Sequence, residues 1–195
     1  MLCTLLSRLL GFVKIVIIGA IFGASGKADV LNAVFAIPNN LRKLMAEGAL
    51  SSAFIPVLSS SIVKDKDHNV TKKIVNNIMA FQILVLVPLC IISIIYADFL
   101  VNKVLLNFSD PGLRILAVDL FRWFISYILL ISISAVLMAV LNSYGYFTVP
   151  ALTPILFSMA VIISILFLHK DLGVYSMAVG VLAGGVMQIF FQYPR

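Results

Sequence analysis

The sequence predicts an all-α, polytopic membrane protein of six transmembrane helices, and three observations carry that prediction. Hydrophobic residues make up 62% of the chain and charged residues 11%, with a mean hydropathy of +1.13. Soluble domains run at about 45–50% apolar and about 25% charged. The apolar residues fall into six stretches of about 20, the length that a hydrocarbon core of ~30 Å demands. Lysines crowd one connection between two of these stretches, as cytoplasmic loops do.

The first span runs from Leu2 to Phe22 and ends in the turn Gly23-Ala24-Ser25-Gly26. The second follows Asp29, a good helix N-cap, and continues to Val63. At 1.5 Å per residue such a rod is roughly 50 Å long, too long to cross upright, so it should tilt, kink at Pro38 or project beyond the membrane. The third span covers Ile74–Ala97 and carries Pro88. A short amphipathic stretch, Pro111–Asp119, then precedes the fourth span, Leu120–Leu141. Leu113, Leu116, Ala117 and Leu120 share one helical face, so the stretch could lie along the interface. The fifth span is Phe147–Leu168, with Pro150 and Pro154 near its start, and the sixth is Leu172–Phe191.

Lys64, Lys66, Lys72 and Lys73 place the connection between spans two and three in the cytoplasm, and an even span count then puts both ends there. A cleaved signal peptide is a poor fit to residues 1–22, because Arg8 and Lys14 interrupt the apolar core instead of preceding it.

Several function classes are excluded. The net charge of +6 is not arranged as a Lys/Arg tract interleaved with aromatics, so nucleic acid is not a partner. His68 and His169 are isolated, Ser7, Ser51 and Ser52 have no evident base, and there is no Walker A sequence. The chain reads as no enzyme, with no metal and no cofactor. Cys3 and Cys90 read as packing residues. Gly180-x-x-x-Gly184-Gly185 reads as a small-residue face for close helix contact.

The charges inside the spans carry more. Arg8, Lys14, Arg42 and Glu47 lie in stretches apolar enough for a bilayer, where an ionised side chain costs about 2.5–3.5 kcal/mol on insertion scales. Such residues face a water-filled cavity or a partner, and an excess of cations calls for an anion. Arg8 and Lys14 are six residues apart, so they point about 120° apart and could line two walls of one cavity. Arg8, near a chain end, could also snorkel to the surface. Lys43 and Glu47 can pair at i, i+4. That leaves Arg42 without a local partner, and its planar fork suits a phosphate.

The motifs Ser7-Arg8-x-x-Gly11-Phe12-x-Lys14, Ile21-Phe22-Gly23-Ala24, Asp29, Pro38-Asn39-x-Leu41-Arg42-Lys43 and Ala46-Glu47-Gly48-Ala49-x-Ser51-x-Ala53-Phe54-x-Pro56 resemble the opening of the MurJ (MviN) family. Tyr127-Ile128-Leu129-Leu130-Ile131-Ser132, Leu141-Asn142 and Pro150-Ala151-x-x-Pro154 agree with it further along. These are lipid II flippases of the multidrug/oligosaccharidyl-lipid/polysaccharide exporter superfamily. The resemblance implies a two-lobed transporter with a cationic cavity between six-helix lobes. Residues 1–195 would then form the N-terminal lobe, and the second lobe would come from elsewhere or be replaced by self-association.

It implies as substrate the undecaprenyl-pyrophosphate-linked disaccharide pentapeptide, moved across the bacterial cytoplasmic membrane for cell-wall synthesis and driven by membrane potential or an ion gradient. By family position Arg8 and Arg42 would meet the pyrophosphate, and Lys14 stands where the family usually has a third arginine. Asp29 and Glu47, with Ser7, Gly11 and Pro38, would shape or gate the cavity. The acidic residue that often follows the third cation is Ile15 here. A related exporter of another polyprenyl-linked polysaccharide would use the same fold, as would a drug exporter, although a drug exporter should favour acidic cavity residues. A non-transporting scaffold bundle would need no buried charge.

Overall fold

The computed structural model describes residues 2–23, 26–43, 50–64, 69–105 and 108–193. They form helices α1 (Leu2–Phe22), α2 (Lys27–Lys43), α3 (Leu50–Lys64), α4 (Asn69–Ile95), a single turn α5 (Ala97–Phe99) running into a π-helical segment Leu100–Leu105, then α6 (Pro111–Ser143), α7 (Thr148–Leu172) and α8 (Tyr175–Gln192). No strand occurs among the described residues. Five of these helices, α1, α4, α6, α7 and α8, are long and apolar enough to cross a membrane.

Helix α6 is the hub. It packs against α2, α3, α4 and α8, while α7 pairs with α8 and α1 lies on α7. Its start follows from Ser109-Asp110-Pro111-Gly112. The Asp110 carboxylate accepts a hydrogen bond from the Gly112 N–H (2.8 Å), and Pro111 occupies the first turn, where a missing N–H is harmless. Leu120, Phe124, Tyr127 and Ile128 of α6 are buried with Val161 and Ile165 of α7 and Met177 and Val181 of α8.

The α7–α8 hairpin closes on small residues, as the glycine spacing predicts. A Cβ at Gly180 would sit 2.7 Å from the Ser164 Cβ, and one at Gly184 would sit 2.8 Å from the Phe157 ring. At Gly185 it would come to 3.0 Å from Tyr127 and Leu130 of α6. The Ser164 hydroxyl donates to the Ser176 carbonyl (2.7 Å) across the same seam. Cys90 is buried in the core, in keeping with a packing role.

Two expectations change. Of the second span, α2 and α3 are described, with 17 and 15 residues, roughly 25 and 22 Å at 1.5 Å per residue, while residues 44–49 between them lie outside the described residues. Helix α2 continues through Pro38, which is buried, as far as Lys43. Asp29 does not cap α2. The helix begins at Lys27, and Asp29 lies exposed in its first turn, where the helix dipole favours a carboxylate. The stretch Pro111–Asp119 is not a separate interfacial helix either. It is the first third of the 33-residue α6, and its apolar face turns inward: Ala117 and Leu120 are buried, and Leu113 reaches across to Gly26.

Candidate functional site

Helices α1 and α2 meet the α7–α8 hairpin around two adjoining cavities, and Lys14 lines both. The larger, about 290 Å³, lies between α1 and α2, with Gly11, Ile18, Asn32, Phe35 and Asn39 in its wall. The smaller, about 170 Å³, adds the α7–α8 side: Ser7, Gly11, Lys14 and Asn39 face Pro154, Phe157, Ser158 and Gln188.

The spacing of α2 explains its contribution. Asn32, Phe35 and Asn39 are three and four residues apart, so they stack on one helical face. That face alternates amide and ring instead of being uniformly apolar. In α1, Ser7, Gly11 and Lys14 follow the same rule. Around Gly11 a Cβ would meet nothing within 4 Å, so the glycine opens onto the cavity and is not needed for packing. Helix α1 runs through it without interruption.

Lys14 is held by aromatic rings. Its Nζ lies 5.1 Å from the Phe35 ring centroid and 5.7 Å from that of Phe157, and the two rings are near-parallel at 6.5 Å and 11°. Ammonium over an aromatic face is favourable by about 0.5–2 kcal/mol, more as water is excluded. The rings are fixed in turn. Phe35 meets Phe124 edge-on at 5.4 Å, Phe157 stacks on Tyr127 at 5.4 Å, and the missing Cβ of Gly184 leaves room for Phe157. A hairpin seam built from glycines thus sets the position of a cation on another helix.

Below the cavity floor a buried polar cluster ties the three inner helices. Gln192 donates through Nε2 to the Thr153 hydroxyl (2.8 Å), and its Oε1 accepts from the Ser134 hydroxyl (3.0 Å). Gln188 donates through Nε2 to the Thr153 carbonyl (3.4 Å). Buried polar groups of this kind must be satisfied to be tolerated.

The structure thus brings Ser7, Gly11 and Lys14 together and adds Asn39, Phe157 and Gln188, whose roles the sequence did not reveal. Phe35 and Asn39 had a usable signal, the i, i+4 stripe on α2, whereas Phe157 and Gln188 become neighbours of Lys14 only through tertiary packing. Arg8 is exposed and lines neither cavity. Asp29 is likewise on the outer surface and Pro38 is buried. Position 42 follows 35 and 39 on the same face of α2, although the Arg42 side chain lies outside the described part of the structure. Glu47, and with it the expected Lys43–Glu47 pair, also falls outside the described residues. Among the described residues no cluster of three His, Cys, Asp or Glu side chains could hold a metal.

Comparison with known proteins gives a consistent result. The family model described as lipid II flippase MurJ matches residues 18–195. A probable lipid II flippase MurJ of Borreliella burgdorferi is 37% identical over 195 residues, covering 100% of this chain and 38% of the relative. The lipid II flippase MurJ of Burkholderia cenocepacia is 36% identical over 194 residues, covering 98% and 37%. A solved structure of lipid II flippase MurJ in an inward closed conformation superposes with a TM-score of 0.82 at 30% identity, over 97% of this chain and 40% of that one. The chain therefore spans under two fifths of the length of the relatives it matches. A family model covering nearly all of it, relatives above 30% identity and a matching helical arrangement together establish that this chain belongs to the MurJ family.

Proposed function

We propose that residues 1–195 form the N-terminal lobe of a lipid II flippase, in which the Lys14 cavity holds part of the pyrophosphate-bearing head group during alternating access. The observation that carries this reading is a lysine ammonium facing two joined cavities within a strongly apolar helix bundle. A lipid-linked pyrophosphate has a tail that prefers the bilayer and a head that cannot cross it. A fixed cation replaces part of the head's hydration, and rocking of one lobe against another exposes the site to alternate sides.

Lys14 suits this task because an arriving phosphate oxygen offers its ammonium a charge-assisted hydrogen bond, stronger than its contact with the rings. Arg42, one helical turn past Asn39, and Arg8, nearer the start of α1, would extend the cationic path. Glu47 and Asp29 would act in gating or cavity structure. The outer face of α1, with Leu5, Leu9 and Phe12 exposed, would meet lipid or a second lobe, supplied by a further helical region or by another copy. Membrane lipids would surround the remainder, in the cytoplasmic membrane, with both ends inside.

The test is a chimera in which this chain replaces the matching part of the Borreliella burgdorferi relative, assayed for lipid II translocation and for rescue of flippase-depleted cells. Lys14→Ala and Arg42→Ala should each lower translocation at least tenfold with normal membrane insertion. Arg42→Lys should be impaired, because an ammonium has no planar fork, and Lys14→Arg should match or exceed the parent. Full activity of the Lys14→Ala, Arg42→Ala double variant would sink the reading.

A further inference from the structure

Away from the Lys14 cavities, a groove of about 470 Å³ lies between the start of α4 and the end of α6. Its bed is apolar: Val75 of α4 faces Leu137 and Val140 of α6, beside the small core of Leu58, Val136 and Ala139 where α3, α4 and α6 meet. Its rim is polar, with Lys72 and Asn76 from α4 and Tyr144 and Tyr146 from the α6–α7 connection. The two helices run antiparallel. Further along α4 the Cys90 thiol donates to the Ile125 carbonyl (3.6 Å), well back along α6, so Lys72 lies level with Tyr144. Leu137, Val140 and Tyr144 follow one face of α6, and the groove therefore reaches about 10 Å down the helix from that level.

We propose that this groove is a binding site for one anionic phospholipid, with an acyl chain on the Val75, Leu137 and Val140 bed and the phosphate at the Lys72 ammonium and the Asn76 amide. Three observations choose this occupant. Lys72, Tyr144 and Tyr146 are all exposed at one level of two adjoining spans, and a membrane–water boundary selects such a pairing of cation and aromatics. The rim thus sits at head-group depth and the bed at chain depth. The groove is also one-signed: Lys72 lines it, no carboxylate does, and lysines at this depth attract acidic lipid. Finally, α4 leaves nearly all of its apolar length unburied, so the medium that reaches the groove is bilayer. A soluble phosphate would leave the apolar bed wet, and an apolar peptide would leave the lysine unmatched.

The site has a structural consequence. Helix α4 reaches the scaffold mainly through α6, and near its start the Thr71 and Ser61 hydroxyls share a hydrogen bond of 3.1 Å to α3. A chain lying in the groove covers apolar surface of α4 and α6 together and extends the small core at that joint. None of this depends on what the Lys14 cavities hold.

The test is lipid retention by the chain purified in detergent, read by native mass spectrometry with phosphatidylglycerol and phosphatidylcholine carrying the same acyl chains. The parent should retain one phosphatidylglycerol in preference to phosphatidylcholine. Lys72→Gln should lower that preference about two- to fivefold, the range of an exposed ion pair, and Lys72→Arg should keep it. Lys73→Gln removes an exposed neighbouring charge that does not line the groove and should change nothing. Val75→Trp, which fills the bed, should lower retention of both lipids, and the Lys72 variants on the surface decide the matter even where that protein folds poorly. Glycerophosphoglycerol, the same head group without chains, should not displace the lipid. An absent preference in the parent, an unchanged one in Lys72→Gln, or an equal fall in Lys73→Gln overturns the proposal, the last by marking diffuse surface charge. Displacement by glycerophosphoglycerol overturns it too, in favour of a phosphate site with no use for the apolar bed.

Discussion

Helices α1 and α6 are both long and apolar, and the protein uses them in opposite ways. In α6 fifteen residues are buried, along its whole length from Ala117 to Ala139. In α1, among the side chains described, Ile18 is the one that is buried, and Leu5, Leu9 and Phe12 face outward. Hydropathy does not separate them. What does is the partners available: α6 meets helices on several sides, whereas α1 leans on α7 along one face and keeps a cavity on the next. Helix α6 with the α7–α8 hairpin is therefore a scaffold, and α1 with α2 is the wall that carries the charge. The flippase reading proposed above needs both, because a site that must open and close cannot be packed as tightly as the frame that positions it.

The sharpest way to break this comparison is to overfill the scaffold. Gly184→Leu forces a branched side chain into the space of the Phe157 ring, already 2.8 Å from the position of a bare Cβ. Overpacking costs about 1–3 kcal/mol and more where backbone must move. The expected outcome is a large loss of folded protein, seen as poor accumulation and a lowered thermal midpoint in detergent. Since Phe157 holds Lys14, a leucine variant that folds should still lose head-group binding. Unchanged stability would mean that the α7–α8 seam is looser than its geometry.

A middle-sized effect comes from the polar cluster inside that scaffold. Gln192→Leu removes the partner of both Thr153 and Ser134, side chains that are almost inaccessible. Leaving such hydroxyls unmatched costs about 1–3 kcal/mol. Thr153 retains its bond to the Val149 carbonyl, so the lower half of that range is expected, measured as a shift in the unfolding midpoint. A more stable Gln192→Leu protein would show that the cluster serves specificity at the expense of stability.

The smallest effect should come from the wall. Gly11→Ala places a methyl where nothing lies within 4 Å, and alanine is the better helix former by up to about 1 kcal/mol. Its unfolding midpoint should stay level or rise slightly, in contrast to Gly184→Leu. A destabilised Gly11→Ala would mean that α1 is packed as tightly as α6, and the distinction between scaffold and wall would fall.

Much of this was legible beforehand, for physical reasons that differ by residue. Five of the six expected spans correspond to helices of sufficient length because apolar runs of that size have no other stable use. The glycine face of α8 was readable because only close approach explains two glycines at i, i+4 in an apolar helix. Lys14 was readable because a charge there demands a reason. The opening of α2 was misplaced by three residues, since Asp29 serves the first turn as well as it would serve a cap. The stretch Pro111–Asp119 was misassigned because an amphipathic face buries equally well against a membrane surface or against neighbouring helices.

By itself the sequence determined the helical, membrane-type architecture and the cationic character of the first spans, since hydropathy and charge are properties of each residue and its near neighbours. It also determined the family, through motifs whose spacing is local along the chain, most of them between Ser7 and Pro56. Only the tertiary structure decided which side of α1 faces a cavity, and that Phe157 from α7 closes over Lys14 from α1. It also decided that Gln188 comes to the same cavity wall from the far end of the chain. Those neighbours are 143 and 174 positions from Lys14 along the chain, and what unites them is the packing of α1 on α7 and of α7 on α8, a contact order no local pattern encodes.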